Sequence, residues 1–431
     1  MNTAILRWLA LTLVVSGAIG CHGLLEVSDP TRVQDTDIAN ANGANARRLY
    51  ASATFFGYYI GTVSDVAYFT DEWIYDVPST AFPRATTFLD QRNSVQYENL
   101  GGDPHLGPLD LAFVQTTIAI PAVHAYTPDS LQGDFLAQLY AIRGFIVLQM
   151  AEDICPGFPL NDVANNLAVY GGPLTTDSAL SYANTQFDSA LKYVHDSTGF
   201  MTFARVAKGR ALLDLGKYTE AAAVVASVPT AATYTTDPSY ALSMSSFGCE
   251  GCSMAGVGNR EGTNGLPFVS ANDPRIPVQV LSPSNTVPND TVYYTTLGSD
   301  PNDVIVLASG IEARLIQAEA ALHNDDPSWK LMLDSLRATV GLNALTDPGT
   351  ANGRVDLLYS ERAFWLYMTG RRLGDLRRLI SRYGRDPETV FPTGPYLGGN
   401  GGTYGTATSI PFNFSDEHRY NPHITTGCTT R

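Results

Sequence analysis

Two pairs of adjacent carboxylates, Asp71-Glu72 and Asp325-Asp326, are where acid–base chemistry could sit. Glycoside hydrolysis needs two carboxyls facing each other across a scissile bond. Sequence neighbours point in different directions, so both pairs read as solvated faces or helix caps. The seven His residues lie apart, and no pair has helical metal-ligand spacing. No GxSxG, HExxH or phosphate-binding glycine loop occurs. Gly398-Gly399-Asn400-Gly401-Gly402 is glycine-rich, but no helix start follows it, so it reads as a flexible turn. The expectation is a chain with no catalytic residues, no cofactor and no metal site.

Binding chemistry has better candidates. Neutral, hydroxyl-rich ligands are held by flat apolar rings with polar groups at their edges. Tyr68 to Asp76 offers that mixture, with Asp71, Trp73 and Tyr75 as candidate contacts and Arg84 following. A second set is Arg260, Asn264, Phe268, Tyr293 and Tyr294. The competing reading for each aromatic is core packing.

The N-terminus could carry a different chemistry. Arg7, a short apolar run from Trp8 to Val15, and small residues lead to Ala18-Ile19-Gly20-Cys21. This pattern resembles a bacterial lipobox, in which the Cys21 thiol accepts a fatty acyl group such as palmitate. Several acyl chains would anchor the protein to a membrane without inserting it. No other apolar run reads as reaching membrane-spanning length. Export implies an oxidising compartment, where disulfides persist. Cys155, Cys249, Cys252 and Cys428 allow three pairings, and the loop-like surroundings of Cys249-Glu250-Gly251-Cys252 favour a structural disulfide there over zinc or redox chemistry.

Helices must position these groups. Helical patterning runs from near Thr36 past Leu49, then over residues 109–125, 129–150, 177–194, 304–322, 327–340, 354–368 and 371–382. Phe203 to Pro229 reads as a helical hairpin with small residues at helix spacing and Gly216 at its turn. It resembles a tetratricopeptide repeat. Residues 230–303 lose helical periodicity, apart from a short strand at Thr291 to Leu297, and a segment this long reads as functional loops. The 431 residues are 44% hydrophobic, which excludes wholesale disorder. A net charge of −15 with no solvated basic patch excludes nucleic acid as a partner. Arg371 to Arg378 has acidic residues close by and reads as partly buried helix-to-helix ion pairs.

Several segments together resemble the SusD/RagB family of outer-membrane nutrient-binding lipoproteins. They are the leader Leu24-Leu25-Glu26-Val27, Ala141 to Phe145 with Gly157-Phe158-Pro159-Leu160, Phe203 to Ala222 and Ala271-Asn272-Asp273-Pro274-Arg275. Ile311 to Ala321, Glu361-Arg362 with Gly370, Arg372 and Asp375 to Arg378, and Ile410-Pro411 with Glu417 and Asn421-Pro422 complete the order. Trp365 and Thr369 stand where the family usually has Glu, so a thinner ion-pair network is expected. The resemblance implies an all-α fold: a tetratricopeptide-like superhelix of helical hairpins with a loop-rich lobe. It divides the chain into a signal peptide (1–20), a lipid-anchored leader (21–35) and one domain (36–431). Within that domain the scaffold is 36–229 with 304–382, and the ligand lobe is 230–303 with the tail 383–431. It further implies capture of oligosaccharide or peptide at the cell surface and delivery to a SusC-like TonB-dependent transporter, without catalysis. The readings from other classes are a helical-repeat scaffold lipoprotein and a lipid-anchored hydrolase.

Overall fold

The computed structural model describes residues 37–75, 85–98, 105–165, 167–237, 255–283, 291–295, 297, 304–396, 398 and 401–428. Cys21, Arg84, Cys249 and Cys252 lie outside the described residues.

The first helix, α1 (Ala41–Phe69), starts where the Asn40 side chain accepts the Gly43 N–H. The helical patterning readable past Leu49 continues in the structure to Phe69, and α1 is unbroken for 29 residues. Gly57 and Gly61 have open space beside them and sit within the helix without interrupting it. Residues 78–107 read as loop from their Pro, Gly and Asn residues, but two short helices, α2 (Ala85–Asp90) and α3 (Ser94–Glu98), lie within them. The helical stack then runs through α4 (Leu106–Tyr126), α5 (Asp129–Asp153), α6 (Thr176–Tyr193), α7 (Thr198–Asp214) and α8 (Tyr218–Val225). After the loop-rich stretch come α9 (Gly310–His323), α10 (Ser328–Ala338), α11 (Ala351–Trp365), α12 (Arg372–Tyr383), α13 (Pro387–Val390) and α14 (Phe414–Tyr420). Helices dominate, as expected.

Local chemistry sets these boundaries. Thr175 and Ser197 cap α6 and α7 through their hydroxyls. At the α7–α8 turn Gly216 takes φ +74° and its N–H donates to Leu213 O, while Lys217 N–H donates to Leu212 O. In α7, a Cβ at Gly209 would stand 2.6 Å from Val225 Cγ1 and 3.2 Å from Ile316 Cδ1, so α8 and α9 pack against bare backbone. α4 is long and apolar enough to cross a membrane, contrary to the sequence reading. It packs against α1 and α5, burying Leu106, Leu109, Phe113 and Val123.

Among the described residues two large apolar cores result, beside a small third cluster of Ala51, Ala119, Val123, Leu136 and Leu139. One gathers Phe55 to Val63 of α1 with the inner faces of α4 to α8. The other gathers Val66 to Tyr75 with Phe268, Ile276 and the inner faces of α10 to α12. α1 and α9 contribute to both cores and tie them together. The strands among the described residues form four two-stranded sheets. These are β1 (Trp73–Tyr75) with β5 (Ala255–Val257), β2 (Asp162–Ala164) with β3 (Leu167–Val169), β4 (Thr233–Thr235) with β8 (Val306–Ser309), and β6 (Val278–Pro283) with β7 (Thr291–Thr295).

His105, just before α4, joins α1 to α5. Its Nδ1 lies 3.0 Å from Asp65 Oδ2 and its Nε2 3.1 Å from Asp153 Oδ2. Burial pulls its pKa down, but the hydrogen bonds to Asp153 and Asp65 outweigh this and hold it at about 10. The unfolded value is about 6.5. The folded value is the higher one, so the contribution to stability is complete below about pH 6.5 and is lost as pH rises through 10. Thermal midpoints measured from pH 6 to 10 should therefore fall more steeply for the wild type than for His105→Gln. Parallel curves would contradict the assignment.

Candidate ligand face

α1 stops at Thr70, and the chain turns through Asp71-Glu72 into β1. Asp71 is 1% exposed. Its Oδ1 accepts Arg372 Nε at 2.6 Å, and its Oδ2 accepts Arg372 Nη2 and the Leu266 N–H, both at 2.8 Å. Asp71 therefore clamps the end of α1 to α12 and to the 258–268 loop, and it has no place at a ligand surface. Glu72 is buried beside it. Burial pushes its carboxyl up to about 8, against the pull of Arg372.

β1 runs antiparallel to β5, with Trp73 opposite Val257 and Tyr75 opposite Ala255. Alternation along the strand turns Trp73 and Tyr75 inward, where their rings meet Tyr68 edge-on at 5.3 and 5.8 Å. Trp73 is 2% exposed, so the expected stacking role of Trp73 and Tyr75 gives way to core packing. Phe268 is corrected in the same way, being fully buried between Phe364 and Tyr367 with ring centroids 5.2 Å away. Asn264 spends its amide on Glu388 O at 2.6 Å and Phe391 O at 2.9 Å. It fastens the loop to the C-terminal tail.

Three of the expected contacts remain at the surface. Arg260 is exposed, with φ +64°, and its N–H donates to Leu266 O. Tyr293 and Tyr294 lie half-buried on β7. Tyr294 Oη donates to Gln279 Oε1 at 2.5 Å, and Tyr293 sits opposite the exposed Val280. The structure does bring the two expected segments together. A Cβ at Gly256 on β5 would touch Val292 Cγ1 of β7 and Ile74 Cγ2 of β1, so the strands meet at that glycine. The candidate face is thus built on the β6–β7 ribbon, with Tyr294 and Gln279 on one side of it and Tyr293 and Val280 on the other, and with the exposed Arg260 three residues after β5. Gln279 and Val280 were missed because only β7, and not its partner β6, was legible as a strand.

This face carries ring surfaces, an amide, phenolic hydroxyls and one guanidinium, which suits stacking and hydrogen bonding. Among the described residues no group of three or more His, Cys, Asp or Glu is arranged to hold a metal.

The late helices carry the expected ion pairs. Arg362 is bidentate to Asp375, with both bonds at 2.8 Å, and Arg378 reaches Glu319, Asp375 and Asp214. Trp365 supplies a ring face to Arg275 at 5.0 Å where a carboxylate was expected from the family pattern. Thr369 contributes its carbonyl, which accepts from Tyr59 Oη and Arg371 Nη1 at 2.8 Å each.

No family model matches the chain, and no curated protein does. Solved structures do. A SusD superfamily protein from Bacteroides vulgatus superposes with a TM-score of 0.63 at 13% identity, covering 91% of this chain and 99% of that one. NanU from B. fragilis gives 0.62 at 13%, covering 93% and 99%. A laminarin-binding SusD-like protein gives 0.58 at 15%, covering 90% and 99%. The chain has the SusD-like fold along nearly its whole described length.

Proposed function

We propose that this chain is a SusD-family nutrient-binding lipoprotein that captures oligosaccharide and passes it to a TonB-dependent transporter, without cleaving it. The observation that supports this most is the extent of the shared fold, which reaches structures described as SusD-like carbohydrate-binding proteins. Peptide is the alternative cargo on the same architecture. In this reading Cys21 carries the lipid anchor, residues 22–35 form the tether, and Arg260, Tyr293 and Tyr294 contact cargo, with Arg84 joining them. Sugar rings would lie on the Tyr faces while the guanidinium and Gln279 bind hydroxyls. A stack of helical hairpins is stiff, so the face stays in place and little ordering cost is added on binding.

Glycan and peptide arrays probed with the mature protein are expected to give oligosaccharide hits. For the best hit, the double variant Tyr293→Ala/Tyr294→Ala should weaken affinity at least tenfold, about 1.4 kcal/mol. Blank glycan and peptide arrays would reject the reading in favour of a scaffold lipoprotein.

A further inference from the structure

A second feature lies at the open end of the α7–α8 hairpin. A cleft of ≈500 Å³ opens there between the first turns of α7 and the chain that follows α8. Small-molecule pockets span about 300–1,000 Å³, so one ring-sized ligand fits. The wall beyond α8 is held firmly. Arg314 Nη2 on α9 donates to Val225 O at 3.2 Å and to Val228 O at 2.9 Å, and Gly310 N–H donates to Ala232 O at 2.8 Å. A Cβ at Gly310 would stand 1.9 Å from Pro229 O, so the start of α9 rests directly on that wall. A ligand entering a cleft fixed in this way adds little ordering cost.

Two polar side chains on α7 meet this cleft without satisfying their donors. Thr202 is 6% exposed, and its hydroxyl makes no hydrogen bond among the described residues. Part of that oxygen remains open to the cleft. Arg205 is partly buried. Its Nη1 donates to Ser227 Oγ at 2.5 Å, while its Nε and Nη2 have no partner among the described residues. The chain carries a net charge of −15, yet among the described residues no carboxylate lines the cleft or pairs with Arg205. Thr202 and Arg205 are three residues apart, which sets their Cβ atoms about 5–6 Å apart on one helix face. The open edge of Arg205, Nε with Nη2, is the edge by which Arg362 grips Asp375 and Arg372 grips Asp71. That edge matches a carboxylate in geometry and in charge.

We infer that the cleft is a second binding site, for a ring-bearing monocarboxylate whose carboxylate accepts Arg205 Nε, Arg205 Nη2 and the Thr202 hydroxyl. Met201, Val228, Pro229 and Ala232 form the apolar part of the lining, and the ring of the ligand lies against them. One guanidinium without an internal anion balances a single negative charge, so a monocarboxylate suits the site better than a doubly charged phosphate. The site shares no residue with the β6–β7 face, and it does not depend on the cargo reading.

Isothermal titration of the mature chain with D-glucuronate and with benzoate tests the site, one probe having a hydroxylated ring and the other a plain one. At least one should bind saturably, with one site per chain. D-glucose, which lacks the carboxylate, and inorganic phosphate, which lacks the ring, should each bind at least tenfold more weakly. Arg205→Gln should weaken the better probe about tenfold or more, the size of a lost charge-assisted hydrogen bond. Thr202→Val should weaken it about threefold or more. Tyr293→Ala/Tyr294→Ala should leave it unchanged, which separates this site from cargo capture. Absence of saturable binding by both carboxylates overturns the proposal, as does equal affinity for D-glucose or phosphate. Unchanged affinity in either cleft variant overturns it too, and loss of binding in the double tyrosine variant would move the carboxylate to the β6–β7 face.

Discussion

Glu319→Ala is expected to lower the unfolding free energy by about 3–5 kcal/mol, the range for removing one partner of a buried ion pair. Glu319 on α9 is fully buried. Its Oε1 accepts Tyr359 Oη and Arg378 Nε, both at 2.8 Å, and its Oε2 accepts Arg378 Nη2 at 3.0 Å. Arg362 Nη1 stands 3.6 Å away. Removing the carboxylate leaves two guanidiniums in the core with Asp375 and the half-buried Asp214 as their anions. Asp375 can absorb only part of that charge. Burial raises its pKa, but Arg362 and Arg378 outweigh this and hold it at about 2. It is therefore already ionised, and its own contribution is present above about pH 4 and lost as pH falls through 2. Urea unfolding of the variant gives the number. A loss under about 1 kcal/mol, typical of solvent-exposed pairs, would show that the network is screened. Glu319→Gln should lie between the two, because the amide oxygen still accepts while the charge is gone.

This network was partly legible in the sequence. Asp375 lies three residues from both Arg372 and Arg378, and the Arg378 pair forms at 2.8 Å. Arg372 instead reaches Asp71, far along the chain, and no local spacing announces that partner. The same division separates what could be read from what could not. The Phe203 to Pro229 hairpin was readable because a 3.6-residue period and a glycine turn are local signals. Val304 to Ser309 read as helix because its apolar run continues into α9. Its last four residues are β8, paired with Thr233–Thr235, and that pairing outweighs local propensity.

The candidate face shows the limit more sharply. A strand of aromatic and polar residues has the same composition whether its rings face cargo or core. Trp73 and Tyr75 went inward because β5 pairs with β1 and buries one face, and β5 is remote in sequence. Phe268 went inward because α11 and the residues after it supply Phe364 and Tyr367. Tyr293 and Tyr294 stay half-exposed because they lie on a two-stranded ribbon, one on each of its faces. Sequence could nominate all these residues but could not rank them, since burial is decided by partners that periodicity does not reveal.

Cys428→Ser is expected to cost about 2–5 kcal/mol of stability, the range for removing a native disulfide. The structure pairs Cys155 with Cys428, 273 residues apart, with Cα atoms 5.4 Å from each other. A cross-link that closes so long a loop restricts the unfolded chain strongly and belongs at the upper end of that range. The tail is also held without it. Ile410 N–H donates to Asp153 O, and Cys155 N–H donates to Ile410 O. Asn421 Nδ2 donates to Gly171 O at 2.8 Å. The variant should therefore fold with the same helical content, lose thermal stability, and yield to proteases first around α14. Dithiothreitol should lower the wild-type midpoint by at least this amount and move the variant only by what the Cys249–Cys252 bond contributes. Equal midpoints for oxidised and reduced wild type would mean that tail contacts alone fasten the C-terminus. The bond also narrows the pairing left open in the sequence. With Cys155 and Cys428 joined and Cys21 acylated in the proposed mature form, Cys249 and Cys252 can pair only with each other. Denatured, unreduced protein should then show no free thiol, and two free thiols would leave that CxxC reduced.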